Sequence, residues 1–391
     1  MRKHYRWGAM LAASALVITA CGDAPEETST EEETTAEATE SAMPTESDMA
    51  TESAMATESG SETATAAGDA DYSACMVTDT GGVDDRSFNQ TSYEGMQRAE
   101  EELGVSISVL ESQSAADFEP NINEFIDQDC DLIVTVGFLL GEATAAAAEA
   151  NPDQNFAIVD FDFFDAEAGE DITFDNVREL TFATDQAAFL AGYVAADQTE
   201  TNAIGTYGGL NIPTVSIFMD GYLAGANYYN EQNDANVEVL GWDGAEGQFT
   251  GDFEDQTKGR NITEQLLQNG ADIIMPVAGP VGQGTGAALR AAGTGKMIWV
   301  DTDGYESVAQ FQDLILTSVM KNMNVAVYDT IAAGVDGSFE GGLYTGTLEN
   351  EGVAIAPFHD FEGDVSEETL TALDEIRQGI IDGEIEVTSG G

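Results

Sequence analysis

Basic side chains are scarce in this sequence. Its 391 residues include 12 Lys and Arg against 73 Asp and Glu, a formal net charge of −61. Nucleic-acid binding needs clustered Lys and Arg to displace phosphate counterions, so the balance argues strongly against it. Docking on an anionic membrane through a basic face is disfavoured for the same reason. Histidine is nearly missing: only His4 and His359 occur, and His4 lies in a targeting segment. A His-rich zinc site and a Ser-His-Asp nucleophile both lack parts unless His359 alone serves. Neither a metal nor a cofactor is expected, and much conventional enzyme chemistry is disfavoured. Long apolar runs are also lacking. Gly8 to Ala20 is apolar over 13 residues, short of the roughly 20 that a membrane-spanning helix needs.

That short run makes residues 1–21 read as a secretory signal, with Arg2, Lys3 and Arg6 as its positive start. Ile18-Thr19-Ala20-Cys21 resembles the bacterial lipobox, in which the cysteine is lipidated and becomes the mature N-terminus. Cys21 is therefore the expected lipidation site, and the acyl chains are the only membrane contact expected. Residues 22–71 hold 15 acidic side chains, no Lys or Arg, and a six-residue repeat at Thr45, Thr51 and Thr57. Such a segment buries too little apolar surface to offset its ordering entropy, and like charges extend it. It reads as a solvated leash.

The remaining 72–391 keeps 58 acidic and nine basic side chains, net −49, with Lys258, Lys296 and Lys321 as its lysines. This is a pattern associated with halophiles and with stability that rises with salt. An apolar fraction of 42% is enough for a real core, and the length exceeds the roughly 250–300 residues at which one core stops growing, so two lobes are expected. Short apolar runs alternate with helical patterns. Strands are expected at 74–78, 105–110, 132–136 and 155–160, then at 203–207, 237–242, 272–277 and 297–300, with helices between them. The alternation implies parallel βαβ units and an α/β doubly wound class, in two series separated around 181–199. Cys75 and Cys130 fall on or before the first and third strands, neighbours in a 2-1-3 order. An exported chain meets an oxidising environment, so a structural disulfide between them is plausible.

In open parallel sheets ligands bind beyond the carboxyl ends of the strands. The first strand ends in Asp79-Thr80-Gly81-Gly82-Val83-Asp84-Asp85-Arg86-Ser87-Phe88-Asn89-Gln90. Ser87 or Asp85 can cap the helix that follows. Capping does not explain a large ring at Phe88 beside the amides of Asn89 and Gln90, a combination suited to stacking on a planar ligand and bonding its edge. Comparable mixtures follow other strands: Gly137-Phe138, Asp160-Phe161-Asp162, Gly251-Asp252-Phe253, Ala278-Gly279-Pro280, and Asp301-Thr302-Asp303. Carboxylates at such places accept sugar hydroxyls, while on an acidic chain they also occur as plain solvated turns. Lys321, one of so few lysines and set among apolar residues, points to a site; snorkelling from a helix is the bland alternative.

Thr78–Gln90, Val134–Phe138, Gly251–Gly259, Val277–Gly282 and Thr317–Asp329 together resemble the basic membrane protein family, purine-nucleoside-binding lipoproteins of ABC importers. The resemblance covers essentially all of 72–391. It implies the type I periplasmic binding protein fold: two doubly wound lobes joined by three crossovers, here expected at 72–182 with 305–345 and at 183–304 with 346–391. By motif position Phe88 and Phe253 look like base-stacking rings, and Asp79, Asn89 and Asp162 like polar contacts to purine or ribose. Phe138 belongs to the same set of strand-end residues. Gly279, Asp301 and Lys321 resemble the ribose-binding groups, with Asp303 the alternative to Asp301. Gly279-Pro280 departs from the family's usual Gly-Gly. The resemblance further implies a monomeric binder, tethered to the outer face of the cell membrane, that closes on a nucleoside and delivers it to an ABC permease.

Rival readings come from other classes. Gly282-Gln283-Gly284-Thr285-Gly286-Ala287, with Asp301 19 residues beyond Gly282, satisfies the spacing of a dinucleotide-binding fingerprint. Export away from the cytoplasmic NAD pool and the want of a catalytic His or Tyr/Lys pair count against it. Clustered aspartates would also suit a Ca²⁺-dependent nucleoside hydrolase, and a sugar or autoinducer binder of the same fold would lack rings matched to a flat base.

Overall fold

The computed structural model describes residues 70–165 and 169–387. The expected signal, lipidated Cys21 and nearly all of the 22–71 leash lie outside the described residues. From the first described strand the chain runs β1 (Ser73–Thr78), α1 (Phe88–Leu103), β2 (Ser106–Glu111), α2 (Phe118–Asp127), β3 (Leu132–Val136), α3 (Gly141–Ala150) and β4 (Asn155–Val159). A small hairpin, β5 (Phe164–Asp165) and β6 (Glu170–Asp171), precedes β7 (Val177–Phe182). The second series is α4 (Thr184–Gln198), β8 (Ala203–Gly208), α5 (Pro213–Asn233), β9 (Glu238–Leu240), α6 (Gln256–Gln268), β10 (Ile273–Val277), α7 (Gly282–Ala292), β11 (Lys296–Asp301), the one-turn α8 (Gly304–Ser307) and β12 (Ile315–Lys321). The chain then returns through α9 (Met323–Val335) and β13 (Gly342–Gly346), and ends with β14 (Val353–Ile355) and α10 (Glu367–Ile381).

Two six-stranded sheets result, in the orders β13-β7-β4-β3-β1-β2 and β14-β12-β11-β10-β8-β9. All pairings within them are parallel except β12 with β14. The orders match position by position, so each lobe repeats the other's doubly wound plan. Helices cover both faces, which is why β3 and β4 are buried at every residue or nearly so. Alternate side chains of β1 serve different cores. Ala74 and Met76 face the large cluster shared with α4 and α9, whereas Cys75 and Val77 face the one containing Phe118, Phe125 and Phe156. Cys75 and Cys130 form a disulfide on that second side, with Cα atoms 6.2 Å apart.

The chain passes between the sheets three times: between β7 and α4, between β12 and α9, and between β13 and β14. These passages lie side by side, the Ala183 N–H bonding the Gly346 carbonyl at 2.8 Å and the Asn322 N–H the Gly352 carbonyl at 2.9 Å. The return to the first lobe therefore begins after Lys321 and not near 305. Residues 315–321 form a strand paired with β11 in the second sheet, because Ile315–Val319 is a buried run whose ladder partner is already there. Strand β7 and helix α4 fill the 181–199 stretch read from the sequence as a bare boundary.

Candidate ligand-binding cleft

The loops at the carboxyl ends of the two sheets face each other across a cleft that encloses about 600 Å³, part of it open to solvent. In the first lobe, the Asp85 carboxylate accepts the N–H groups of Ser87, Asn89 and Gln90 at 2.8–3.0 Å. These are donors at the start of α1 that have no partner within the helix, so Asp85 is the cap and fixes Phe88 and Asn89 at the cleft wall. Phe88 is half-buried there, and Asn89 is buried. The Asn89 amide nitrogen lies 3.4 Å from the Thr80 carbonyl, whereas its Oδ1 is buried without a partner.

Gly137, after β3, adopts φ +118° and lies against Asp79, where a Cβ would come within 2.0 Å of the carboxylate. Glycine is required on both counts. Phe138 follows and lines the cleft, its ring 5.2 Å from that of Phe161. Strand β4 delivers Asp160 at φ +63°, buried and lining the cleft. Asp162, two residues on, is exposed and outside the lining. Sequence reading chose Asp162 over Asp160, and the left-handed turn at Asp160 reverses that choice, since the chain leaves the cleft there.

The second lobe supplies Phe253, which packs on Gly209 in a loop tied down by the Thr250 and Gly251 N–H groups on the Gly208 and Gly209 carbonyls. Ile212, Val215 and Phe218, at the start of α5, add apolar wall that sequence reading missed. The signal was present: Gly208-Gly209 after a strand repeats the Gly81-Gly82 pattern. Gly279, at φ +51°, also lines the cleft. Strand β11 ends in Asp301 at φ +71°, the positional counterpart of Asp160. Asp301 is buried at the cleft and accepts the Ser87 hydroxyl at 2.6 Å. Asp303 is not part of the lining; it caps α8 through the Tyr305 N–H and bonds His359 Nε2 at 2.7 Å. Of the two carboxylates left open by the sequence, the fold brings Asp301 to the cleft.

Lys321 closes β12 and is 2% exposed. Its ammonium pairs with Asp160 of the first lobe and lies 5.4 Å from the Phe88 ring and 4.9 Å from the Phe218 ring. A fully withdrawn lysine needs such partners to stay charged. The carboxylates outnumber it. Burial, with Asp85 nearby, pushes the Asp79 carboxyl up to about 8 despite the Asn89 amide beside it. Burial also raises Asp85 to about 6, against the three N–H bonds it accepts. Asp160 and Asp301 are likewise raised by burial, with Lys321 opposing. At neutral pH Asp79 is thus largely a carboxylic acid, able to donate a hydrogen bond, while Asn89 Oδ1 can only accept. Phenyl faces, one donor acid, one free acceptor and charged groups nearby suit a flat heterocycle carrying hydroxyls.

Gly282–Ala287 is not a phosphate loop. It is the first part of α7, packed so closely that a Cβ on Gly284 would meet the Gln256 carbonyl at 2.1 Å; close helix packing explains its glycines. Among the described residues no cluster of three or more His, Cys, Asp or Glu has metal-binding geometry, and no helix is long and apolar enough to cross a membrane.

A family model described as ABC transporter substrate-binding protein PnrA-like matches residues 72–390. The ABC transporter nucleoside-binding protein BmpA of Lactococcus lactis is 33% identical, over 82% of this chain and 90% of that protein. A lipoprotein of Pyrococcus abyssi is also 33% identical, over 77% of this chain and 72% of its own length. The crystal structure of an ABC transporter solute-binding protein from Aeropyrum pernix superposes with a TM-score of 0.72 at 28% identity, covering 81% of this chain and 93% of that one.

Proposed function

The chain belongs to the family of PnrA-like ABC transporter substrate-binding proteins, and on that footing we propose that it captures nucleosides, purines foremost, by closing its two lobes and delivers them to an ABC permease. The observation that carries this reading is the meeting, at one cleft, of phenyl rings from both lobes with a buried acceptor that has no partner, Asn89 Oδ1. Phe88 and Phe138 from one side and Phe253 from the other stack on the base. Asn89 and the protonated Asp79 bond its edge. Gly279, Asp301 and Lys321 hold the pentose, with Asp160 fixing the lysine. The nucleoside-binding name of the Lactococcus relative supports the ligand class. The lipobox-like end at Cys21, with the Pyrococcus relative named a lipoprotein, supports a protein tethered by lipid outside the membrane.

A calorimetric titration of the full-length protein tests the site. Phe88→Ala weakens guanosine binding at least tenfold, about 1.4 kcal/mol, as expected for one lost stacking face. Asp162→Ala, outside the cleft, leaves affinity within about twofold. Equal affinity in the wild type and Phe88→Ala would remove the assignment of the rings.

A further inference from the structure

Contacts across the cleft are not confined to the ligand-facing side chains. Ser87 donates to Asp301 and lies 3.3 Å from the Val300 carbonyl. Directly before it, the Arg86 guanidinium donates to the Ser307 carbonyl in α8 at 3.0 Å, joining the first lobe's β1–α1 loop to the second lobe. Arg86 is exposed and is not part of the cleft lining. Its φ of +60° is a conformation that a residue with a Cβ adopts at a cost, and one that concentrates at functional sites. Arg98, Arg260 and Arg290 each pair with a carboxylate. Arg86 sits on an equally acidic domain, yet its hydrogen bond runs to the other lobe's backbone.

We infer that Arg86 is an outer latch of the closed clamp, a positioning residue that holds the lobes together and so sets affinity without touching the ligand. The inference rests on the reading that the lobes close on their ligand. The apparent dissociation constant equals the intrinsic one divided by the fraction of molecules in the competent state. Loss of the latch lowers that fraction by one factor, whichever ligand is present. A residue touching base or sugar would instead discriminate among ligands.

The experiment compares wild type, Arg86→Ala, Arg86→Gly and Arg86→Lys as full-length proteins, each first checked by thermal melting. Small-angle scattering of the ligand-free proteins is expected to show a larger radius of gyration in the Ala and Gly variants. Calorimetry is expected to show guanosine, inosine and adenosine weakened by one common factor of about three to ten, with Arg86→Lys recovering part of it. The Gly variant relieves the backbone conformation yet loses the guanidinium, so it should match Ala in affinity. Unchanged scattering, ligand-dependent losses, or Gly and Ala differing in affinity would each overturn the latch. If the wild type bound no nucleoside, the proposed function would fall, and the ligand-free scattering comparison would still decide on Arg86.

Discussion

Asp79 is where burial has a readable thermodynamic consequence. Its carboxyl, held at about 8 in the folded chain, returns to an ordinary carboxylate value near 4 on unfolding. Between those values the folded state binds the extra proton, so its contribution to stability is complete below about pH 4 and is lost as pH rises toward 8. Asp85 acts in the same direction over a narrower range, up to about 6. Asp79→Asn, a neutral amide of nearly the same shape, removes the titration. Its melting temperature relative to wild type should climb from pH 4 to pH 8 and then level off; a constant difference across that range would contradict the assigned protonation. The same scale shows what sequence could and could not disclose. Phe88, Asn89 and Phe253 stood out because a ring or amide at a loop or helix start has little structural excuse. Asp160 and Asp162 differ by nothing in an acidic sequence, and the backbone turn at φ +63° decides between them.

Among the elements, the parallel strands with buried apolar runs were legible within a residue or two, as at β3 and β4, because period and flanking turns agree. Helix α4 was not: it is buried nearly all round, from Ala187 to Ala196 without a break, so it offers no polar stripe for a helical period to reveal. Strand β12 hid for a related reason. Its apolar run leads straight into α9, leaving only Asn322 as punctuation. The Cys75–Cys130 link belongs to this scale too, tying β1 to the segment before β3 across 55 residues of chain. Closing a loop of that length stabilises by up to about 4 kcal/mol in the chain-entropy description. Replacing both cysteines with alanine should lower the denaturant midpoint accordingly while guanosine affinity, measured where the protein is folded, stays within about twofold, since neither residue lines the cleft. An unchanged midpoint, or affinity lost with the bond, would contradict this division of labour.

At the scale of the whole molecule, two copies of one doubly wound plan face each other, and their fourth strands end in Asp160 and Asp301, both in the left-handed region, each reaching a partner in the opposite lobe. Each lobe alone offers only part of a site. In the proposed site Phe88 without Phe253 is one stacking face, and Lys321 without Asp160 loses its ion-pair partner from the opposite lobe. The symmetry explains why strand-end segments scattered from 79 to 321 converge on one cleft. A net charge of −61 repels anions, which suits a neutral ligand better than a phosphorylated one. The claim that a flat base is held between rings is tested most directly by titrating the full-length protein with guanosine and, separately, with ribose. Stacking contributes about 1–3 kcal/mol per base, so guanosine should bind at least about thirtyfold more tightly than ribose when faced from both sides; ribose binding as tightly as guanosine would contradict the account.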